Sequence, residues 1–512
     1  MNVAFDPWIP VVDRQGETRR ISLSSVFANG GNISDLTVQP HERVALMRLF
    51  LCIAHAALEG PKDIDEWEKA PDKLPEAARK YLDKWKDSFD LFHEKKPWLQ
   101  VADIKMVKDW TSVSKLNFAY ATGNNTTLFD HAGMKKKRSM ILEDIVVSML
   151  AFQCFALSGT SSQVYWNDKQ TKHKIKDAPC SPGSMYHAFL RGDNLLNTIV
   201  YNMVTLDDLQ RIYGHPLGRP VWEKMPSSFD DEDAVQNATQ TYVGRMVPIA
   251  RLIKLDKSKE RMMLGEGLVY PTFANGFSPE PTATVVIEKK GTKEGRGILS
   301  FKPSKAVWRE LAAIVVKRKA NALGGPLCLQ NIREGKGFDL LVAALARDQA
   351  TIVETTESVF HIPEELTTPN GVAMYTRETA NAEKVAGKLG WAVETWRKKS
   401  DGYWEKRLES PGTGKKNLKA RLHSIATIHY WTAMEGNLSL LFDYIQALGS
   451  ERLVPAKQAW RKSLANAAVD AYTTACSRET PRQIRAFSLG WRELMSIYGI
   501  LNPKPKKSKE SA

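Results

Sequence analysis

FDPWIPVVDRQGETRRISLSSVF, residues 5–27, alternates apolar and polar side chains around an Asp-Arg-Gln-Gly turn. Period-two alternation turns one face of each short strand toward a core, so the stretch predicts a β-hairpin. Helix follows: between His41 and Leu58 the residues Leu46, Leu49, Phe50, Ile53 and Ala57 recur at helical spacing, and 67–92 reads as further amphipathic helix. Strands return in TATVVIEKKGTKEGRGILSF, residues 282–301, where two β-rich runs flank a charged connection. After Pro369 the pattern changes to four long helical segments at 377–399, 415–448, 455–478 and 481–498, with Pro455 and Pro481 in first turns that tolerate proline. The expected fold class is therefore α+β and helix-rich. A large mixed N-terminal domain, 1–369, precedes a C-terminal four-helix bundle, 370–500, and a Lys-rich disordered tail, 501–512.

The 512 residues carry 72 Lys and Arg against 58 Asp and Glu, a formal net charge of +14, which favours a polyanionic partner. The excess is concentrated: from Thr376 onward there are 24 Lys and Arg and 13 Asp and Glu, so that stretch carries +11 and the preceding 375 residues only +3. A solvated, Lys-rich helical surface is the plainer account of the same count. Five scattered cysteines, none in a CxxC pair, point to a reducing cytoplasm. With no apolar run near the ~20 residues of a membrane span and no leader-like start, the expectation is a soluble, cytoplasmic chain without a membrane partner.

Catalytic patterns are scarce. PGTGKKNL, residues 411–418, lacks the early glycine of a phosphate-binding loop, where Glu409 stands, and the hydroxyl after Lys415, where Lys416 stands. It reads as a turn opening a basic helix. The ten histidines are dispersed, no pair has the i, i+4 spacing of a helical zinc site, and no G-x-S-x-G elbow occurs. No metal, no cofactor and no catalytic residue are expected.

Three segments suit nucleic acid. TGNNTTLFDHAGMKKKRSM, residues 122–140, joins a polar run to Leu128-Phe129 and to the cations Lys135 to Arg138, a composition that can order on RNA or simply be a solvated linker. The stretch 158–183 reads as irregular and opens with Gly159, Thr160, Ser161 and Ser162, small enough for close backbone approach to a minor groove, although ordinary surface loops share that composition. Lys289 and Lys290 mark a basic turn that can follow a phosphate backbone or keep a sheet edge soluble.

Together with FDPWIPV, DSFDLFHEKKPWLQV (87–101), NNTTLFDHAG (124–133), FLRGDNLLNTIVYNMVTLD (189–207) and ALARDQATI (344–352), these segments give the chain its family likeness. It resembles the CasA family, the large subunit of the type I-E CRISPR surveillance complex Cascade, with marks collinear over most of the length and weakest in the bundle. The resemblance implies a non-catalytic, cytoplasmic subunit of a guide-RNA-directed antiviral complex. Such a subunit recognises the protospacer-adjacent motif in target double-stranded DNA, wedges the duplex open for R-loop formation and helps recruit the helicase-nuclease. Its implied partners are guide RNA and the other Cascade subunits. By that likeness Leu128, Phe129, Asp130 and His131 contact the guide-RNA handle, and Gly159, Thr160, Ser161, Ser162 and Gln163 read the motif. Gln349 forms the wedge with Asp348 beside it, an anion where the family has a neutral amide. Lys289 and Lys290 follow displaced DNA, with Arg452, Lys457, Arg461, Lys462, Arg478, Arg482 and Arg485 of the bundle as further strand or duplex contacts. The family's motif-reading lysine has no counterpart in GEGLVYPTFANGF, residues 265–277, which leaves Tyr270 or Asn275 as substitutes or the contact missing altogether. Rival readings are a nuclease or nucleotide hydrolase with an unrecognised site and a general basic RNA-binding scaffold.

Overall fold

A computed structural model describes residues 1–107, 110–120, 139–178, 184–271, 280–290, 293–320, 323–333, 336–348, 351–400 and 414–502. The chain divides into two compact units, Met1–Ile362 and Pro363–Ala512.

The first unit is mixed α and β, as its alternating patterns require. The opening hairpin forms: Ile9–Asp13 pairs antiparallel with Thr18–Ile21 and, on its other edge, with Ile33–Leu36. Its centre is the helix Pro40–Leu58, started by Pro40 and a Gln39/Glu42 capping box. From Arg43 to His55 every residue is buried, so the helix runs through the core instead of lying on it. The helix Leu142–Phe155 is likewise buried from Ile145 onward.

Two marks of the family likeness prove to be packing elements. Trp8 of FDPWIPV and Trp98 of PWLQ are buried with ring centroids 6.0 Å apart. Gln100 donates to the Leu91 carbonyl (2.8 Å) and accepts from the Leu255 amide (2.8 Å), meeting its hydrogen-bonding capacity in the interior. The continuous helix expected over 67–92 is instead three pieces, Ile64–Glu68, Ala70–Lys84 and the 3-10 turn Lys86–Phe89. Pro71 has no N–H with which to extend the ladder back to Trp67, so the helix must restart there.

The second unit is helical: Pro369–Ser400, Gly414–Gly436, Leu438–Gln446, Leu453–Ala475 and Pro481–Leu494. The segment expected as one helix over 415–448 breaks at Asn437, whose side chain donates to the Ala433 carbonyl (2.7 Å) and closes the helix end after Gly436. Close packing of the last helix depends on Gly490. A Cβ there would lie 2.1 Å from the Tyr472 hydroxyl and 2.7 Å from the Ala392 carbonyl. Among the described residues no helix is long and apolar enough to cross a membrane.

Candidate nucleic-acid interface

The stretch expected to be irregular from Ser158 is a narrow antiparallel ribbon. Gly159–Thr160 pairs with Lys174–Ile175, and Val164–Trp166 pairs with Lys169–Gln170. Asn167 and Asp168 both have positive φ, +47° and +59°, the conformation a two-residue hairpin turn needs if its twist is to match its strands. Gly159 has φ +153° and is exposed with Thr160, so the outer surface here is backbone and one short hydroxyl. Ser161 turns inward, 5% exposed; its amide donates to the His173 carbonyl (2.9 Å), and its own carbonyl lies 2.6 Å from His173 Nδ1. Gln163 donates to the Thr171 carbonyl (3.0 Å), bracing the ribbon. Of the five residues expected to read the motif, Gly159 and Thr160 therefore present the open surface, Ser162 is half-buried, and Ser161 and Gln163 hold the ribbon together.

What fixes the ribbon lies beneath it. Arg251, 3% exposed, donates to the carbonyls of Leu157 (2.7 Å), Lys176 (2.8 Å) and Ala250 (2.6 Å), so one guanidinium ties both strands of the ribbon at its base to the strand Arg251–Leu255. Burial pulls its pKa down to about 10, which still leaves it charged at neutral pH. The Asp177 carboxylate accepts from the Ser158 amide (2.6 Å), and Glu266 accepts from the Lys172 amide (3.1 Å). Gln153 accepts from the Arg251 amide (2.9 Å) and donates to the Leu99 carbonyl (3.1 Å).

Tyr270 cannot stand in for the missing lysine as a surface contact. It is 4% exposed and its hydroxyl donates to the Ile249 carbonyl (3.1 Å). Asn275 lies outside the described residues. A lysine does reach this place: Lys176 of the ribbon donates through Nζ to the Tyr270 carbonyl (2.9 Å), a pairing across 94 positions that no local pattern announces.

The segment ALARDQATI spans the end of a long hairpin. Phe338–Asp348 pairs with Thr351–Ile362 along its whole length, closing with Asp348 opposite Thr351, and Met185–Arg191 completes the sheet on the other edge. Leu340 to Ala346 are buried, which anchors the arm of the hairpin. Gln349 lies outside the described residues, as do Leu128, Phe129, Asp130 and His131. Val285–Lys290 pairs with Lys293–Ile298, placing Lys289 and Lys290 at the closing end of a second hairpin.

The profile of the CRISPR-associated protein Cse1 family matches residues 2–471. The chain belongs to the Cse1 family. The CRISPR-associated protein CasA/Cse1 of Thermus thermophilus is 25% identical over 529 residues, spanning 98% of this chain and 97% of the relative. Cse1 of Thermobifida fusca superposes with a TM-score of 0.77 at 20% identity, covering 98% of each chain. A chain of a CRISPR RNA-guided surveillance complex superposes with a TM-score of 0.70 at 17% identity, covering 97% of this chain and 99% of its own. These superpositions establish that the Cse1 fold extends over both units.

In this Cse1-family chain the helical-unit cations are of two kinds. Arg452, Lys462, Arg478, Arg482 and Arg485 are exposed and Lys457 is half-exposed, with the Arg478 guanidinium 4.7 Å from the Phe487 ring centroid. Arg461 departs from its expected place as a strand contact. Its side chain is 12% exposed and pairs with the fully buried Glu378 at 3.3 Å, and it also donates to the Leu501 carbonyl. Among the described residues, no group of three or more His, Cys, Asp or Glu side chains could hold a metal ion. The strongly shifted titratable groups of the first unit include His41, His55, His187 and Glu280, all buried.

Proposed function

We propose that the chain is the motif-reading, non-catalytic large subunit of a guide-RNA-directed surveillance complex. It inspects double-stranded DNA with the ribbon, opens the first base pairs with Gln349 and presents a surface that helps recruit the helicase-nuclease. The observation that carries this reading is the ribbon itself. An exposed backbone edge at Gly159-Thr160 has no packing duty of its own, yet it is fixed from below by a buried arginine and two carboxylates. Such construction suits an element that must keep its shape while pressed into a minor groove, where backbone groups and small side chains read width and donor pattern.

Lys176, exposed at the foot of the ribbon, takes the part of the family's lysine near the motif. Asp348 lowers local phosphate affinity, and the Leu128–His131 segment holds the guide-RNA handle. Lys289, Lys290 and the exposed cations of the helical unit follow the displaced strand or duplex through phosphate contacts.

Gln349→Ala tests the wedge. A side chain inserted beside a base step offsets a few kcal/mol of unstacking, so duplex opening by the assembled complex should slow by roughly 10- to 100-fold. Binding to a target already melted beside the motif should change little. Stopped-flow fluorescence of a base analogue next to the motif reads the difference, and equal losses on both substrates would rule out the wedge.

A further inference from the structure

The helix Pro369–Ser400 carries an aromatic side chain with no structural duty. Trp391 is 67% exposed, whereas Trp396 of the same helix and Trp460 of its neighbour are buried at 7% and 0%. No ring pair or cation–π contact within the chain involves Trp391 among the described residues. An indole left in water forgoes the burial of a large apolar surface, so its position is not explained by the stability of the helix.

Its helical neighbours explain it better. Lys388 precedes it by three residues, Lys384 by seven, and Lys398 follows by seven, so all three share its face of the helix. Lys384 and Lys388 have no ion-pair partner among the described residues, while Lys398 lies 3.7 Å from Glu394. From Lys384 to Lys398 the row extends about 21 Å along the axis. Gly387 leaves the surface one turn before Trp391 without a side chain, with nothing within 4 Å of the position a Cβ would take. A flat π surface preceded along its face by two lysines with no ion-pair partner among the described residues, on a unit with a large positive excess, is the arrangement that binds single strands: phosphates meet the lysines and a base stacks on the ring. Tyr498, the other exposed aromatic among the described residues of this unit, has no lysine or arginine three, four or seven positions away. Exposed Ile428, Val454 and Ile484 offer no ring.

We infer that Trp391, with Lys384 and Lys388, is a base-stacking platform for single-stranded nucleic acid, which makes the helical unit a reader of unpaired strand and not only a positive surface. This rests on the reading that the unit follows displaced DNA, and it adds the residue that would distinguish a single strand from a duplex.

The test uses the full-length chain and a labelled oligothymidylate, with binding read by fluorescence anisotropy at fixed salt. Trp391→Ala and Trp391→Leu should each weaken binding roughly tenfold, the scale of losing one stacked base, and Trp391→Tyr should retain most of it. Affinity for a blunt duplex of equal length should not change, and thermal unfolding should match the parent because the side chain is exposed. Parent-like binding by Trp391→Leu would overturn the proposal, because an apolar side chain without a ring would then suffice, as in docking against a protein. Parent-like binding by all three variants would overturn it too, since the ring would then contact nothing. Motif-dependent duplex opening is measured separately on the assembled complex. Loss of that activity with the Trp391 effect intact would remove the functional reading above and leave this one standing.

Discussion

The ribbon of the first unit and the basic helices of the second, the two surfaces proposed to meet nucleic acid, are built on opposite principles. At the ribbon the groups that fix its shape are underneath: Arg251, Asp177, Glu266 and Gln153 are committed to backbone partners, and above them Gly159 and Thr160 are exposed beside the exposed Lys172 and Lys174 of the returning strand. On the helical unit the groups proposed to make contact are the outer face itself, a set of separately exposed arginines and lysines. Rigid shape is a cooperative property, so one buried group can abolish it. Positive potential is a sum, so one cation removes only its share. Single substitutions should therefore act steeply in the first unit and shallowly in the second.

The largest effect should come from Glu280. It is fully buried between Arg48 (2.7 Å) and Arg245 (3.1 Å) and accepts from the Thr282 hydroxyl (2.8 Å), joining the central helix to the helix Tyr242–Met246. Burial would raise its pKa, but the two guanidiniums outweigh that and hold the carboxyl down to about 2. Glu280→Gln leaves two buried guanidiniums without their counter-charge and should cost about 3–5 kcal/mol, read as a shift in the urea midpoint. A loss under 1 kcal/mol would show that water or neighbouring carbonyls suffice.

Acid attacks the same core in two windows. His41, His55 and His187 are held neutral by burial, with pKa values down to about 4, 3 and 4. Below pH ~6.5 the unfolded chain binds protons that these residues refuse when folded, so each should remove about 2 kcal/mol by pH 5. The contribution of Glu280 is fully present above pH ~4.5 and is lost as pH falls toward 2. Stability should thus decline steadily from pH ~7 as the histidine loss runs on toward their folded pKa values of about 4 and 3, with the Glu280 loss added below pH ~4.5. A flat profile down to pH 5 would contradict the buried, neutral histidines.

Arg251→Met comes next. Loss of a charged donor to the Leu157 and Lys176 carbonyls should cost about 2–3 kcal/mol of local stability. Its clearer signature is functional: discrimination between duplexes with and without the adjacent motif should fall roughly tenfold or more, while salt-dependent binding to unrelated DNA persists. Equal loss on both duplexes would show that Arg251 supports the whole unit and not the ribbon alone.

The elements readable in the sequence were those whose signal is local. Period-two alternation at Ile9–Ile21, helical spacing at Leu46–Ala57 and the proline starts of the last helices all act within a few residues, and these elements form where expected. The ribbon escaped because its strands are two or three residues long, too short for periodicity, although the Asn167-Asp168 turn was its available signal. Arg251 and Lys176 escaped for another reason: their partners lie 75 and 94 positions away, and a lone cation in a sequence does not reveal whether it faces water or a carbonyl. The same ambiguity affected Arg461. It sits on a helix of ordinary basic composition, and only Glu378, 83 positions earlier, turns it into a buried ion pair.

The smallest effects belong to the exposed cations and give the sharpest test of additivity. Arg485 is exposed and, among the described residues, Arg482 donates only to the Lys399 carbonyl at 3.3 Å, so Arg485→Glu should leave unfolding within about 0.5 kcal/mol of the parent. Its effect should appear in the salt dependence of DNA binding, where each lost phosphate contact lowers the slope of log K against log salt by about 1. Combining it with Arg482→Glu and Lys462→Glu should lower the slope in near-equal steps and weaken all DNA sequences alike, because phosphate contacts carry no base information. If one of these reversals instead impaired a single adjacent motif, that cation would be reading bases, and the division between a shape-reading first unit and a charge-summing second would fail at that residue.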